Sequence, residues 1–526
     1  MIQGFNFLRE KMNYVRSLTD YIPQLIVLGM SSITQKVAIL AIGDMVARGL
    51  GFVSSMVLAR VLGPESYGIW TTALAIFSYM LWFSDVGIMQ LGTREMAKKA
   101  DEQVFSAAEL FFGKCLWALI ALIILFIISP FLPYSEEINA LIWLLLFSLI
   151  PYALHTEWLF SGKQDFFSLQ AIKALQATVF FGFIVYGIQQ ADDLEKLPVY
   201  YGISVGISSL LLWVISLYKR HLVFSNHTVT KNSITSLVSL IKESLQLGVG
   251  WVSSQVILLF PPLIFALVYS ESFVGWYGAA LRIIMLYMVL DRIFVQLLLP
   301  NLSKGWNNNT VTMSKRIQQA YRYHTLLGLF GSFGILFLAP FVIPLIYGDL
   351  YTESIPMLQI LSPLLFLTFQ NSVFATSLIA TQQSTYYLKA NLLGGVICAI
   401  FIGIGTYFLI DYPNYALFFI VLSEGIMMYL AYYFFNKYSL LKTTFPFYPM
   451  YVSLAVGLLS YLWFMGNPVF MGTFTFLPNI HLAGLPNWLM FSLILLMAFI
   501  PLLVTKSIKI SDWKTIRELM KHRPQP

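Results

Sequence analysis

The sequence predicts an all-α polytopic membrane protein with about fourteen transmembrane helices. Its 526 residues are 58% hydrophobic and only 11% charged, with a mean hydropathy of +0.74, which is more apolar surface than a soluble protein can bury. Apolar runs recur along the chain at the length of about 20 residues that a helix needs to cross the hydrocarbon core. These runs lack the alternation of strands, so helices, which satisfy their own backbone hydrogen bonds, are favoured over a barrel.

The first apolar window follows a charged segment, residues 1–35, which includes Arg9 and Lys11. This segment lacks the uninterrupted apolar region of a cleaved signal peptide, so we expect a cytoplasmic stretch that lies partly on the membrane surface. The transmembrane spans are expected at 36–60, 66–90, 108–132, 138–160, 166–189, 198–218, 243–270, 275–300, 324–347, 354–379, 387–409, 412–437, 447–466 and 484–506.

The basic residues orient these spans. If the N-terminus is cytoplasmic, the outer loops hold only Arg60 and Lys196 of the 32 basic residues, five more lie within spans, and the remaining 25 face the cytoplasm. This asymmetry predicts that both termini are cytoplasmic. The basic tail at 507–526 is then an anchor at anionic lipid, and no nucleic-acid partner is expected.

Short matches between the two halves of the chain predict an internal duplication, with chance similarity between apolar segments as the alternative. An outer turn containing an acid precedes Gly68 in the first half and Gly275 in the second, and each glycine is followed two residues later by an aromatic residue. Asp85 lies seventeen residues after Gly68, and Asp291 lies sixteen residues after Gly275. The two halves run in the same direction, which is typical of transporters that rock two bundles around a central site.

Four motifs resemble those of a known family. Leu62–Gly68 looks like the signature after the first helix of the polysaccharide-biosynthesis (Wzx-type) flippases, which belong to the multidrug/oligosaccharidyl-lipid/polysaccharide exporter superfamily. The segment Ser84–Ile88 resembles the end of their second helix, Val274–Ile283 the start of their eighth, and Ile346–Tyr351 the turn before their tenth. The pair Pro261-Pro262 in the seventh span is a departure from the pattern, and the acid often found in that helix is missing.

The resemblance implies two six-helix lobes around a central cavity, followed by two more helices. The implied N-lobe is 36–218, the C-lobe is 243–437, and the added helices lie in 447–506. The implied function is to move undecaprenyl-pyrophosphate-linked oligosaccharide repeat units (O-antigen, capsule or exopolysaccharide) from the cytoplasmic to the periplasmic leaflet of the inner membrane by alternating access. The implied partners are this lipid-linked sugar and membrane lipids, with a polysaccharide polymerase and a chain-length regulator as further candidates.

Cations within the spans are the candidate ligands of a pyrophosphate. Arg48 lies near the middle of the first span, where an arginine costs about 2.5–3.5 kcal/mol to insert and therefore needs water, a partner or a ligand. Its planar fork matches phosphate oxygens. Arg282 occupies the opposite half-repeat, so the two arginines could meet across the cavity; the alternative for Arg282 is a side chain that reaches the outer interface. The expected cavity cations are Arg48, Arg282, Arg292, Lys114 and Lys173; for Lys114 and Lys173 the alternative is a side chain that reaches the cytoplasmic interface.

Acids within the spans are the candidate carriers of a coupling ion, a proton or sodium. They are Asp44, Glu157, Asp291 and Glu424. For Glu157 and Glu424 the alternative is a neutral acid that forms hydrogen bonds between helices, and for Asp291 it is a structural pairing with a neighbouring helix. Asp44 lies one helical turn before Arg48, so an ion pair that merely permits insertion is an open alternative for both. Pro261 and Pro262 predict a kink that would make a hinge, and Asp85 is expected to be a turn or gate residue.

No motif predicts catalysis, so we expect a transporter and not an enzyme. The chain has no phosphate-binding loop and no zinc pattern, and Cys115 and Cys398 both lie inside apolar runs. We therefore expect no metal centre and no bound cofactor, with a proton or sodium gradient as a possible energy source.

Three other functions compete with this interpretation. A flippase for a peptidoglycan precursor (of the lipid II type) is the closest alternative. A drug/cation antiporter of the same superfamily would favour acids over cations in its cavity. A membrane polymerase or ligase needs a large, charged outer loop, whereas the longest one here, 467–483, has His481 as its only titratable side chain.

Overall fold

The computed structural model describes residues 32–98, 102–219, 233–295, 310–381 and 383–439, together with Tyr451, residues 475–477 and residues 480–481. Most of the expected N-terminal segment, nearly all of the two C-terminal spans and the basic tail lie outside the described residues.

In the described residues of its first half, the chain forms eight α-helices. They are α1 (Ser32–Asp85), α2 (Ile88–Met96), α3 (Ala107–Ile128), α4 (Glu136–Leu146), α5 (Leu149–Ala153), α6 (Glu157–Gly162), α7 (Phe166–Gly187) and α8 (Lys196–Tyr218), with short 3₁₀ helices at Ser129–Phe131 and Ala191–Glu195.

The described part of the second half forms eight more. They are α9 (Ser233–Ser254), α10 (Val256–Val268), α11 (Glu271–Tyr287), α12 (Thr310–Tyr347), α13 (Ser354–Leu361), α14 (Pro363–Ala380), α15 (Ser384–Phe408) and α16 (Pro413–Tyr438), with a 3₁₀ helix at Asp349–Tyr351. After a turn at Met288, a further helical segment continues from α11 to Val295. A short antiparallel hairpin pairs β1 (Thr475–Leu477) with β2 (Ile480–His481).

Helix α1 contains two spans joined by a tight turn. Its 54 residues would extend for about 81 Å if straight, far more than a bilayer. Gly63 interrupts it with a φ of 72°, a conformation that favours glycine, and Pro64 then suits the first turn of the next helix. The hydroxyls of Ser55 and Tyr67 lie 2.5 Å apart, which requires the two segments to fold back on each other.

The all-helical, multi-span class is confirmed. Among the described residues, nine helices are long and apolar enough to cross a membrane, and the bent pair Glu136–Leu146 and Leu149–Gly162 makes a tenth. Since α1 is a hairpin, each of the first twelve predicted spans coincides with helix. Side chains such as Tyr186 (86% exposed) and Phe131 (81% exposed) cover the outer surface, as expected where a protein faces lipid.

Several predicted boundaries were wrong. The span expected at 66–90 ends at Asp85, where Gly87 takes a φ of 76° before α2 begins. The spans expected to begin at 243 and 324 begin at Ser233 and Thr310, because a hydropathy window detects the apolar part of a helix and not its polar extension. The span expected at 138–160 is bent by 43° between α4 and α5.

The two halves contact each other closely at the predicted outer end of the bundle. A Cβ added to Gly68 would lie 1.8 Å from the carbonyl oxygen of Glu271, and one added to Gly275 would lie 1.9 Å from that of Pro64. Each glycine thus faces the residue four positions before its counterpart in the other repeat, so the contact has the symmetry of the duplication. Nearby, the hydroxyl of Tyr351 donates to the carbonyl of Ala59 at 2.8 Å.

A second contact joins the halves at the predicted inner end. A Cβ added to Gly87 would lie 2.0 Å from the carbonyl oxygen of Ser244, and one added to Gly248 would lie 2.7 Å from the amide nitrogen of Gly87. Arg94 Nη2 lies 2.7 Å from Glu243 Oε2 across the same boundary. Cavities between the halves therefore lie between an outer and an inner contact.

Candidate transport site

Three of the predicted cations converge between the two halves. Arg48 of α1, Arg282 of α11 and Arg292 of the segment that follows α11 line one cavity of about 150 Å³. Arg292 lies within electrostatic reach of Arg48. Like charges gathered in a small space repel one another unless an anion lies between them, so the electrostatics of this cavity favour a negatively charged ligand.

Arg48 is held by its own helix. Its Nε lies 2.6 Å from Asp44 Oδ2, one turn earlier, and the two side chains keep 35% and 22% of their surface exposed. The predicted intrahelical ion pair and the predicted cavity position therefore both occur. Gly51 and Phe52 continue the cavity wall along α1, and a Cβ added to Gly51 would meet no atom within 4 Å.

A second cavity, about 210 Å³ in volume, adjoins the first. Asp291 and Glu424 line it, together with amide and hydroxyl side chains. The two cavities share Leu258, Met288 and Arg292 in their linings. We call the first the arginine cavity and the second the acidic cavity.

The acids of the acidic cavity have uncharged hydrogen-bond donors. The Ser372 hydroxyl donates to Asp291 Oδ2 at 2.7 Å, and Asn371 Nδ2 donates to Glu424 Oε1 at 3.2 Å. His324 of α12 is buried, and its Nε2 lies 3.6 Å from Asp291 Oδ1. Two of the four predicted ion carriers, Asp291 and Glu424, are thus brought together.

The remaining predicted cations lie inside the first half, away from the lining of the arginine cavity. Lys114 is 2% exposed and lies 3.4 Å from Asp85. Its Nζ donates to the carbonyl of His155 at 2.6 Å, which the interruption between α5 and α6 frees from helical bonding, and it lies 4.5 Å from the centre of the Tyr152 ring. The expected gate residue Asp85 is therefore tied to a buried lysine.

Lys173, the other predicted cation of the first half, is paired with Glu157. The ammonium of Lys173 contacts Glu157 Oε1, and His155 Nε2 lies 3.6 Å from the other carboxylate oxygen. His155 Nδ1 lies 3.2 Å from the Ser209 hydroxyl. The structure thus places Lys114, Lys173, Asp85 and Glu157 in one polar network within the first half.

The interruption in the seventh span lies at Gln255 and not at the proline pair. Gln255 separates α9 from α10, and its amide donates to Val252, three residues earlier, in place of a regular helical bond. Pro261 and Pro262 lie buried within α10. Gln255 and Leu258 line the acidic cavity, so the interruption lies beside the candidate site.

His324, Ser372 and Asn371 belong to this site and were not predicted. Ser372 and Asn371 carry no charge and lie in an apolar span, so hydropathy and charge give no signal for them. His324 stands at the first residue of a predicted span, where a lone histidine is unremarkable. The one available signal was the repeat. Asp291 corresponds to Asp85, whose partner Lys114 lies on the third span of the first half, and His324 lies on the third span of the second half.

This architecture defines a class: a multi-span membrane transporter built from two repeated halves. The family model described as "Polysaccharide biosynthesis protein" matches residues 33–306, which is more than half of the 526-residue chain. The chain therefore belongs to the polysaccharide biosynthesis protein family, and the resemblance stated above is confirmed. A protein of Escherichia coli (strain K12) assigned as an O-antigen transporter is 24% identical over 344 residues, which cover 62% of this chain and 78% of that protein.

Solved structures of transporters share the fold. The lipid II flippase MurJ, in an inward closed conformation, matches with a TM-score of 0.66 at 14% identity, covering 91% of this chain and 99% of that one. An inward-facing MATE family multidrug transporter of the MOP superfamily matches with a TM-score of 0.59 at 14% identity, covering 79% of this chain and 96% of that one. The relatives are transporters and flippases, as expected for a protein that is not an enzyme.

Proposed function

We propose that this protein flips undecaprenyl-pyrophosphate-linked oligosaccharide repeat units from the cytoplasmic to the periplasmic leaflet. The observation that carries the proposal is the convergence of Arg48, Arg282 and Arg292 in one cavity between the two halves. The family and the E. coli relative assigned to O-antigen transport support a cargo of this class.

The charge of the arginine cavity suits a pyrophosphate diester. The cavity is lined by three guanidinium groups, and one of them, that of Arg48, is paired with the carboxylate of Asp44. This leaves about two positive charges for a headgroup with two negative ones. Arginine binds phosphate oxygens bidentately, and such bonds are stronger between charged partners. We propose that the pyrophosphate displaces Asp44 as the partner of Arg48.

The size of the cavity calls for a change in conformation. Its volume of about 150 Å³ is below the roughly 300–1,000 Å³ that holds a drug-sized ligand. A lipid-linked oligosaccharide therefore needs the halves to separate. We propose that the outer glycine contact (Gly68 with Gly275) and the inner contact (Gly87 with Gly248) break in alternation.

The remaining parts of the proposal concern energy, orientation and partners. A proton or sodium gradient would act through the acidic cavity, and Asp44 and Glu157 remain predicted carriers. Both termini would face the cytoplasm, as the distribution of basic residues indicates. A polymerase and a chain-length regulator would receive the flipped repeat unit.

The main test removes the arginines. We expect Arg48→Ala with Arg282→Ala to lower surface polysaccharide at least tenfold and to accumulate its lipid-linked precursor, because the headgroup loses two of its ligands. Lys196→Ala is the matched control, since Lys196 is 54% exposed and paired with Asp193, outside the cavity. Wild-type surface polysaccharide in the double variant, at equal protein level, would contradict the proposal.

A lipid II-type flippase is the second candidate, because the MurJ fold covers nearly the whole of both chains. The discriminating experiment expresses this protein in cells depleted of their lipid II flippase. We expect no rescue of growth, whereas full rescue would favour the second candidate.

A further inference from the structure

The two repeats place an aspartate at the same position, but they give it different cationic partners. In the first half Asp85, at the end of α1, faces Lys114 of α3 at 3.4 Å. In the second half Asp291, at the corresponding place, faces His324 of α12 at 3.6 Å. A lysine keeps its charge across the physiological range, whereas a histidine titrates within it.

The hydrogen bonds of His324 fix which ring nitrogen carries a proton. Nδ1 lies 3.1 Å from the carbonyl oxygen of Ala320, and a carbonyl only accepts, so Nδ1 is the donor. In a neutral ring Nε2 is then an acceptor. It points at Asp291 Oδ1, which is an acceptor as well when the carboxyl is ionised.

Both of these facing atoms lack a hydrogen bond. Asp291 Oδ1 and His324 Nε2 are buried and have no hydrogen-bond partner among the described residues. The Ser372 hydroxyl satisfies only the other carboxyl oxygen. Unsatisfied buried polar atoms are rare and costly, and two acceptors facing each other are unfavourable unless a proton lies between them.

We propose that Asp291 and His324 form a proton-binding pair, which takes up one proton when an anionic headgroup occupies the arginine cavity. This inference rests on the proposed function. The proton comes from water and binds between Asp291 Oδ1 and His324 Nε2. The pair passes from a net charge of −1 to zero, and no other bond is made or broken.

Arg292 connects the pair to the headgroup. It is next to Asp291 in sequence and belongs to the linings of both cavities. Among the described residues, Glu424 of α16 is the other charged group within electrostatic reach of Asp291, while α14 contributes the uncharged Ser372 and Asn371. The positive charge of Arg292 compensates Asp291, and an anion bound to Arg292 neutralises that charge. The Asp291–His324 pair then binds a proton more tightly. By thermodynamic reciprocity, the bound proton tightens anion binding by the same factor.

The experiment measures proton uptake when a soluble pyrophosphate diester binds to the purified full-length protein. UDP-glucose is the probe, because its diester does not titrate between about pH 5 and 8, and calorimetry in buffers of different ionisation enthalpy counts the protons. We expect wild-type protein to take up protons on binding and to bind the probe about fivefold or more tightly at pH 5.5 than at pH 7.5, the low end of typical couplings.

Matched variants locate the proton. Asp291→Asn is expected to bind the probe without proton uptake and with no pH dependence, whereas Glu137→Gln, at an exposed acid outside both cavities, is expected to behave as wild type. Thermal unfolding in the same detergent checks that both variants are folded, and His324→Gln provides a second removal of the pair.

The outcomes separate this inference from the proposed function. Probe binding without proton uptake in the wild type, uptake that survives in Asp291→Asn and His324→Gln, or uptake replaced by a dependence on Na⁺ would overturn the proton pair and leave the arginine cavity intact. Probe binding that is unchanged in Arg48→Ala with Arg282→Ala would overturn the proposed function itself.

Discussion

In the first half of the molecule two partly buried acids each have a lysine beside them. Asp85 lies 3.4 Å from Lys114, and Glu157 contacts Lys173. In the second half Asp291 and Glu424 are held by the hydroxyl of Ser372 and the amide of Asn371. A duplicated fold has therefore placed fixed ion pairs in one lobe and acids with neutral donors in the other.

The two kinds of partner differ in what it costs to change the charge of the acid. Breaking a buried ion pair leaves an uncompensated charge in a low-dielectric interior and is strongly destabilising. An acid with neutral donors keeps its hydrogen bonds whether it is charged or protonated, so it changes charge at less cost. Fixed pairs hold one lobe in shape, and acids with neutral partners suit a site that exchanges protons.

The largest expected effect breaks a fixed pair. Lys114→Met leaves the carboxylate of Asp85 and the carbonyl of His155 without their buried donor, so we expect a loss of about 3–5 kcal/mol of stability. Thermal and denaturant unfolding in detergent measure it. The double variant Lys114→Met with Asp85→Asn is the control and should recover part of the loss, and a cost of Lys114→Met below about 1 kcal/mol would show that the pair is not structural.

The next prediction applies one substitution to both lobes. Asp85→Asn removes the counter-charge of the buried Lys114 ammonium, which still donates to the carbonyl of His155, so we expect a smaller cost of about 1–3 kcal/mol. Asp291→Asn keeps an acceptor for Ser372 and supplies an amide donor to His324, so we expect its stability to change by less than about 1 kcal/mol. Unfolding midpoints of the two variants under identical conditions decide the matter, and equal losses would remove the distinction between the lobes.

Sequence reasoning located the helices better than their partners. Hydropathy placed the first twelve spans on helix, because the length of an apolar run is set by the thickness of the bilayer. The cavity position of Arg48 and Arg282 was also predictable, since charge at that depth needs a wet or paired environment and the repeat places the two in opposite halves.

Contacts between helices were beyond that reasoning. Lys114 and Asp85 are 29 positions apart, and whether they face each other depends on how two helices rotate about their axes, which no hydropathy window reports. The interruption at Gln255 was missed because the nearby prolines carry the stronger local signal. The candidate role of His324 depends on Asp291 Oδ1, which lies opposite its Nε2, and the sequence does not show that contact.

A smaller effect is expected from an acid outside the spans. Burial alone would raise the pKa of Glu95, but hydrogen bonds from Lys98, the amide of Val104 and Arg94 hold that pKa below its usual value of 4.5. A lowered pKa stabilises the fold above the unfolded value, and this contribution is lost as the pH falls through the folded pKa. We expect Glu95→Gln to cost about 1–2 kcal/mol at neutral pH.

The pH dependence of unfolding provides the measurement for Glu95. The wild type should lose stability below about pH 4.5 more steeply than Glu95→Gln does. Parallel curves would mean that this carboxylate does not contribute through its charge.

The smallest expected effect concerns the ion pair that crosses between the lobes. Arg94 and Glu243 lie 2.7 Å apart, yet their side chains are 49% and 42% exposed. Water and salt screen such a pair, so a double-mutant cycle of Arg94→Ala and Glu243→Ala should give a coupling of about 0.2–1 kcal/mol, falling as salt is added. A coupling above 3 kcal/mol that resists salt would make this exposed pair as strong as the fixed pairs of the first half. The presence of an ion pair, and not its burial, would then be what distinguishes the two lobes.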